Sequence, residues 1–209
     1  MTLIQKMALH FSVLVPLALS GQLAFAKHLN YKVGERDYVM GTTQQKKFGE
    51  KHLKKITAAF EHANKVVTTK EFSEVLKFAN TKVSQNVSKI VNGLQRKTKK
   101  PVVLFHFSKP LKGLTKCGTA IGKAVGLNAK CVFNHGAPKV AGTIVHETLH
   151  LVGFSHPKRS RLSVPYYVGC IVTMWPGKKN LQTKKQQEQL AKRCITYGER
   201  QNQQHNIKL

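Results

Sequence analysis

Apolar side chains recur every three or four residues in several stretches of the chain, which is the spacing of amphipathic helices. Between residues 48 and 67, one helical face carries Leu53, Ile56, Phe60, Ala63 and Val67. The same spacing predicts four further helices, over residues 71–80, 83–94, 138–152 and 181–194. We expect the helix over residues 83–94 to end early, at Gly93.

Strand-forming residues are concentrated in one run. Residues 101–107 combine β-branched and aromatic side chains and predict the main strand. A shorter strand is predicted over Cys131–Phe133, in a segment punctuated by glycines. Residues 27–44 are predicted to form an irregular N-terminal arm, residues 45–200 a single domain, and residues 201–209 a flexible tail.

The first 26 positions (residues 1–26) have the pattern of a secretory signal peptide. Lys6 gives the positive start, residues 7–19 are largely apolar, and Ala24-Phe25-Ala26 resembles a cleavage site. The apolar run is too short and too often interrupted to span a bilayer. We therefore expect no transmembrane segment and a secreted or periplasmic protein that begins at Lys27.

The pattern H-E-x-x-H-x-x-G-x-x-H over residues 146–156 carries the candidate chemistry. His146 and His150 lie one turn apart on a predicted helix, and Gly153 lets the chain turn so that His156 can join them. Three imidazoles leave the fourth position of a zinc ion open for water, as in catalytic sites. The adjacent Glu147 is the candidate general base.

This pattern resembles the metzincin clan of zinc endopeptidases, whose signature continues into a methionine-containing turn. Met174, in a segment that ends in Pro176-Gly177, is the candidate for that turn, and the resemblance covers roughly residues 138–177. It implies one catalytic Zn²⁺ and an apolar floor formed by Met174 beneath the histidines. It also implies that a sheet edge near Ala129–Asn134 binds the substrate by strand addition.

The fold expected on this basis is α+β and metzincin-like, in a single domain. It would consist of a small twisted mixed sheet with packed helices, the active-site helix and a short C-terminal subdomain.

Some metzincins have a tyrosine two residues after the methionine, where this chain has Pro176. Tyr166 and Tyr167 could supply a phenol near the site instead, as possible substrate or transition-state contacts. We favour a different role for their segment, residues 163–169, as the wall of the pocket for the substrate residue after the scissile bond.

Four cysteines, Cys117, Cys131, Cys170 and Cys194, allow three pairings in an oxidising compartment. Proximity favours Cys117–Cys131 and Cys170–Cys194, each contributing about 3 kcal/mol in the chain-entropy model. The alternative is a thiol that ligates zinc and keeps the protein latent, although the sequence contains no propeptide motif of that kind.

The charge balance is strongly basic, with 35 Lys and Arg against 9 Asp and Glu and a net charge of +26. Glu147 is the only acidic residue between Val75 and Gln187, so we expect no calcium site there. Because carboxylates are scarce, we expect backbone carbonyls to orient the histidines.

So large a positive charge suggests a polyanionic partner, such as an anionic envelope polymer or an acidic substrate protein. We expect no nucleic-acid partner, because no binding motif is present and aromatic residues do not alternate with the basic ones. The densest basic runs are residues 96–100 and 158–161, and the second would lie at the rim of the cleft and favour acidic substrate groups.

The sequence therefore predicts an exported, monomeric zinc metallopeptidase that acts on a protein or peptide. Two alternatives stay open. One is a hydrolytically inactive polyanion-binding protein on a metallopeptidase fold, and the other is a zinc amidase that acts on cell-wall peptide.

Overall fold

The computed structural model of the chain describes residues 29–33, 37–39, 42–44, 48–79, 81–96, 102–107, 117–157 and 162–207. The predicted signal peptide (residues 1–26) and the basic run over residues 158–161 lie outside the described residues. Among the helices that are described, none combines the length and the apolar character needed to cross a bilayer.

Helices and strands are mixed along the chain, which confirms the α+β class. The strands are β1 (Tyr31–Val33), β2 (Asp37–Val39), β3 (Thr42–Gln44), β4 (Val102–Phe107), β5 (Gly118–Ile121) and β6 (Ala124–Asn128). The helices are α1 (Glu50–Val67), α2 (Lys70–Lys77), α3 (Thr81–Ser84), α4 (Val87–Arg96), α5 (Ala129–Asn134), α6 (Ala137–Leu151), α7 (Val164–Thr173) and α8 (Lys184–Ile207), with a 3₁₀ turn over Lys178–Leu181.

A mixed four-stranded sheet has the order β1-β4-β6-β5. The central strand β4 is parallel to both β1 and β6, whereas β5 runs antiparallel to β6 and lies at an edge of the described sheet. The expectation of an irregular arm over residues 27–44 is wrong for its described parts: β1 joins this sheet, and β2 and β3 form a separate antiparallel pair.

The segment after β6 forms a helix, so the predicted strand over Cys131–Phe133 is wrong. Asn128 caps this helix, α5, because its side-chain oxygen accepts a hydrogen bond from the backbone N–H of Cys131 at 3.2 Å. The implied substrate-binding edge at Ala129–Asn134 is therefore also wrong. The sheet edge that reaches the site described below is β5.

Two helix ends also differ from the prediction. The helix over residues 83–94 is divided into α3 and α4, and α4 continues past Gly93 to Arg96. Gly93 has a packing role, since a β-carbon there would overlap the side chain of Val152. The expected tail is helical as far as Ile207, and Asn202 within it is 1% exposed, because α8 packs against the body of the domain.

Helix α6 lies in the centre of the domain, between α1 and α7. Its apolar residues Val140, Ala141, Ile144, Val145 and Leu149 are buried, as the helical spacing predicts. Pro138 lies in its first turn, where the missing N–H of proline is not needed. The opposite face of α6 is thus left to polar residues.

Two disulfides, Cys117–Cys131 and Cys170–Cys194, confirm the pairing favoured by proximity, with Cα–Cα distances of 5.2 and 5.4 Å. The first joins the start of β5 to α5, and the second joins α7 to α8. The described cysteines are therefore all paired, which leaves no thiol for a latency ligand.

Helices α6 and α7 cross at two facing glycines. A β-carbon on Gly142 would overlap the Thr173 hydroxyl and lie 2.5 Å from the carbonyl oxygen of Gly169. A β-carbon on Gly169 would lie 2.8 Å from the carbonyl oxygen of Gly142 and 3.2 Å from Cβ of His146. The backbones can approach this closely only because both side chains are missing.

Replacing Gly142 by alanine should therefore destabilise the domain by about 2 kcal/mol, because the added methyl group forces the two helices apart. Helix propensity alone predicts the opposite sign, a gain of about 1 kcal/mol. Urea denaturation measures the difference. Gly49→Ala is the control, since its β-carbon meets only His52 at 3.6 Å, and equal stability of the Gly142→Ala variant and the native protein would contradict the close crossing.

Candidate metal centre

Helix α6 and the loop after it bring three histidines together. His146 and His150 lie one turn apart on the polar face of α6, as their spacing predicts. Gly153 follows the end of this helix with a φ of 94°, a backbone conformation that other residues rarely adopt. The chain turns there and carries His156 back toward the helix, so the role predicted for Gly153 agrees with its geometry.

The three imidazoles form a compact group. One ring nitrogen from each of His146, His150 and His156 lies within 4.8 Å of the other two, which is compatible with a shared metal ion. The ring centroids are 4.7 to 5.1 Å apart. Glu147 is 7% exposed, and its Oε1 lies 3.9 Å from Nε2 of His146, so a carboxylate stands beside the group.

Hydrogen bonds orient two of the rings. Nδ1 of His150 lies 2.7 Å from the carbonyl oxygen of Phe154, and this backbone partner agrees with the expectation from the scarcity of carboxylates. Nδ1 of His156 lies instead 2.7 Å from Oγ of the buried Ser163, which sequence reasoning missed. When Nδ1 is the donor, the lone pair lies on Nε2, which leaves that nitrogen available to bind a metal ion. The donor set therefore fits a metal ion.

Helix α7 covers the histidines with an aromatic ring. The ring of Tyr166 stacks on His156 with centroids 4.5 Å apart and lies 4.6 Å from His146. Burial, the Glu147 carboxylate and the Tyr197 phenol together raise the pKa of Tyr166 to about 12, so its phenol is neutral at ordinary pH. Of the two tyrosines that the sequence suggested as possible substrate or transition-state contacts, Tyr166 therefore lies beside the three histidines.

Tyr167, the other candidate, points away from the histidines. Its side chain is fully buried, and its hydroxyl donates a hydrogen bond of 2.9 Å to the carbonyl oxygen of Val75. Burial raises the pKa of this phenol as well. Adjacent residues on a helix face in different directions, so the expectation of a site contact is wrong for Tyr167.

Met174 does not form the floor of the group, and that expectation is also wrong. It follows the last residue of α7, is 47% exposed, and contacts the sulfur of Cys170 at 3.7 Å. The physical reason is that α7 continues to Thr173 and so carries Met174 beyond the histidines. Gly169 and Tyr166 lie against His146 instead.

Helix α8 contributes residues that lie beyond the predicted helix over residues 181–194, two of them in the expected tail. Asn202 donates a hydrogen bond of 3.3 Å from Nδ2 to the carbonyl oxygen of Pro157, directly after His156. Tyr197 and Gln201 lie one turn apart and face the space beside the histidines. Their spacing of four residues is a helical signal that could have identified them, had the helix been predicted to reach residue 201.

A cavity of about 530 Å³ opens beside Glu147 and the three histidines. Its walls come from α6, α7, α8 and the edge strand β5, including Gly118, Thr119 and Ala120. Strand β5 lies close over the carboxylate, because a β-carbon on Gly118 would be 2.8 Å from Cγ of Glu147. No protein-family model, curated protein or solved structure matches this chain.

Replacing Gly153 by alanine should weaken zinc binding at least about tenfold, because the strained backbone moves His156. Gly177→Ala is a matched control: its φ is 95°, and neither glycine has an atom within 4 Å of an added β-carbon. Both variants should lose about 1 to 2 kcal/mol of stability in thermal unfolding. Zinc affinity, measured by competition with a chelator, should fall only in Gly153→Ala, and an equal fall in both variants would contradict the role of Gly153.

Proposed function

We propose that the protein is an exported zinc-dependent metalloendopeptidase. The observation that carries this proposal is the group of three imidazoles with the Glu147 carboxylate beside it, at the wall of an open cavity. A structural metal site is closed by four protein ligands, whereas three ligands facing a cavity leave room for a reacting molecule. The two disulfides and the predicted signal peptide support export.

Zinc is the metal that suits this donor set best. Three neutral imidazoles and no ligating carboxylate favour a borderline-soft ion over magnesium or calcium. When bound, zinc would polarise the carbonyl of the scissile peptide bond and lower the pKa of a water molecule to about 7. His146, His150 and His156 fix its position and take no part in proton transfer.

Glu147 is the proposed general base. Its side chain is almost fully buried, next to the histidines and beneath β5, and it lines the cavity. It would accept the proton of the water and then deliver it to the leaving amine. Between Val75 and Gln187 the chain has no other acidic residue, so no neighbour in sequence can replace it.

Tyr166 is proposed to stabilise negative charge on the carbonyl oxygen during attack. Its phenol is neutral and can donate a hydrogen bond, and its ring is fixed by the stack on His156. Donors of this kind act on charge that develops in the transition state. Tyr166 on α7 would thus replace the tyrosine that some metzincins have two residues after the methionine, where this chain has Pro176.

The substrate is proposed to be a peptide that adds to the edge of β5. The backbone N–H of Asn128 donates to the carbonyl oxygen of Cys117 at 2.9 Å, which sets the alternation of hydrogen-bonded pairs between β5 and β6. By that alternation, the N–H and C=O groups of Gly118 and Ala120 point away from β6. They line the cavity and are available to an extended peptide.

The resemblance to metzincins supports the proposal through the histidine pattern over residues 146–156. The exposed position of Met174 departs from that clan. We therefore propose that the site hydrolyses peptide bonds by the same kind of zinc chemistry as the metzincins.

Replacing Glu147 by glutamine should retain zinc and lower kcat/KM on a casein or mixed-peptide substrate at least about 100-fold, because the amide cannot accept the proton. His156→Ala should lose both zinc and hydrolysis. Metal content by mass spectrometry and hydrolysis by release of new amino groups measure the two effects separately.

Glu188→Gln is the control for loss of one carboxylate, since Glu188 pairs with Lys192 on an exposed part of α8. It should leave zinc content and hydrolysis unchanged. Full hydrolysis by Glu147→Gln would rule out Glu147 as the base. Zinc-loaded native protein that hydrolyses no peptide bond would contradict the peptidase proposal itself.

Ala120→Pro should lower kcat/KM about tenfold, mainly through a higher KM, because proline removes an N–H from the outer edge of β5. The measurement is steady-state hydrolysis of a fluorogenic peptide. Ala120→Val is the control, because valine keeps the N–H and favours a strand. If the proline variant binds peptide as well as the native protein does, strand addition at β5 is wrong.

A further inference from the structure

We propose that Lys139, near the start of α6, and Tyr197 form a carboxylate-binding subsite in the cavity, and that it selects substrates with an acidic group there. This inference rests on the proposed peptidase function and names the class of substrate that the site prefers. It consists of other residues than the basic run over residues 158–161, for which the sequence predicted such a preference.

The position of Lys139 follows from the geometry of α6. Lys139, Thr143, His146 and His150 are spaced by three or four residues, so they share one face of the helix, and all four line the cavity. Lys139 lies two turns before His146, or about 10 Å along the axis. An extended peptide rises about 3.3 Å per residue, so the subsite would contact a side chain two or three residues from the scissile bond.

Tyr197 fixes the ammonium group of Lys139 from the opposite wall. Nζ of Lys139 lies 3.5 Å from the Tyr197 hydroxyl and 5.6 Å from the centroid of its ring. The contact joins the start of α6 to the middle of α8, and Gln201 lies one turn further along the same wall. A lysine held in this way loses less side-chain freedom when an anion binds.

The charge of Lys139 has no counterion among the described residues. The carboxylates that form described salt bridges pair with other side chains, and Lys139 contacts the Tyr197 hydroxyl. A substrate carboxylate could therefore pair with this ammonium group without displacing a described carboxylate. The Tyr197 hydroxyl is a second donor beside it, so one substrate carboxylate could accept from both groups.

A peptide that carries a metal-chelating group can bind at the zinc without being hydrolysed, so the subsite can be tested by binding alone. The probes are peptide hydroxamates, in two series that extend from either side of the chelating group, each with Glu or Gln at the second or third residue. Calorimetry measures their binding to the full, zinc-loaded protein. We expect the Glu peptide of one series to bind at least about tenfold more tightly than its Gln partner, the range of a charge-assisted hydrogen bond.

Three variants separate local binding from the net charge of +26. Lys139→Met keeps the aliphatic stem and should abolish the preference for Glu, whereas Lys139→Arg should keep it. Lys185→Met removes one exposed charge from α8, about 18 Å along the helix from Tyr197, and should leave the preference intact.

Equal binding of Glu and Gln peptides by the native protein would overturn the subsite, as would a preference that survives in Lys139→Met. A similar loss in Lys185→Met would also overturn it, because the preference would then reflect overall charge. If the preference for Glu is present but no unmodified peptide is hydrolysed, the subsite stands and the peptidase proposal fails. Binding of no hydroxamate at all would contradict both.

Discussion

The close crossing of α6 and α7 is the constraint on which the candidate site depends. Gly142 and Gly169 allow the two backbones to touch, and this places Gly169 against His146 and Tyr166 against two imidazoles. The Cys170–Cys194 disulfide then ties α7 to α8, one residue beyond the crossing. The glycine crossing therefore positions α7 relative to α6, and the disulfide positions α8 relative to α7.

Local geometry explains how much of this could be predicted from sequence. A helix fixes the separation of His146 and His150, and a glycine fixes the turn toward His156, so the ligand group follows from short-range spacing alone. The two disulfides follow from proximity along the chain, and the central strand follows from its β-branched and aromatic composition. None of these features requires knowledge of how distant elements pack.

One error is local: the strand-like residues around Cys131 are helical, and Asn128, three residues earlier, caps their helix. The other errors occur where tertiary packing decides, as where Asn202 in the last helix binds the loop after His156. Met174 was assigned by resemblance, yet the length of α7 carries it to an exposed position. Tyr166 and Tyr167 were equivalent in sequence, and only the direction of each side chain from α7 separates a site residue from a core residue.

The excess of positive charge gives the few charged groups of the cavity opposite and separate roles. Among the described lining residues, Glu147 is the acidic group and Lys139 the lysine, and slightly more than two turns of α6 separate them. Because Glu147 is buried beneath β5 while Lys139 contacts the Tyr197 hydroxyl, the two charged groups do not form an ion pair with each other. If the proposed roles of Glu147 and Lys139 hold, a peptide along β5 would meet a proton acceptor toward the end of α6 and an anion-binding group near its start, and these two contacts would fix its direction as well as its register.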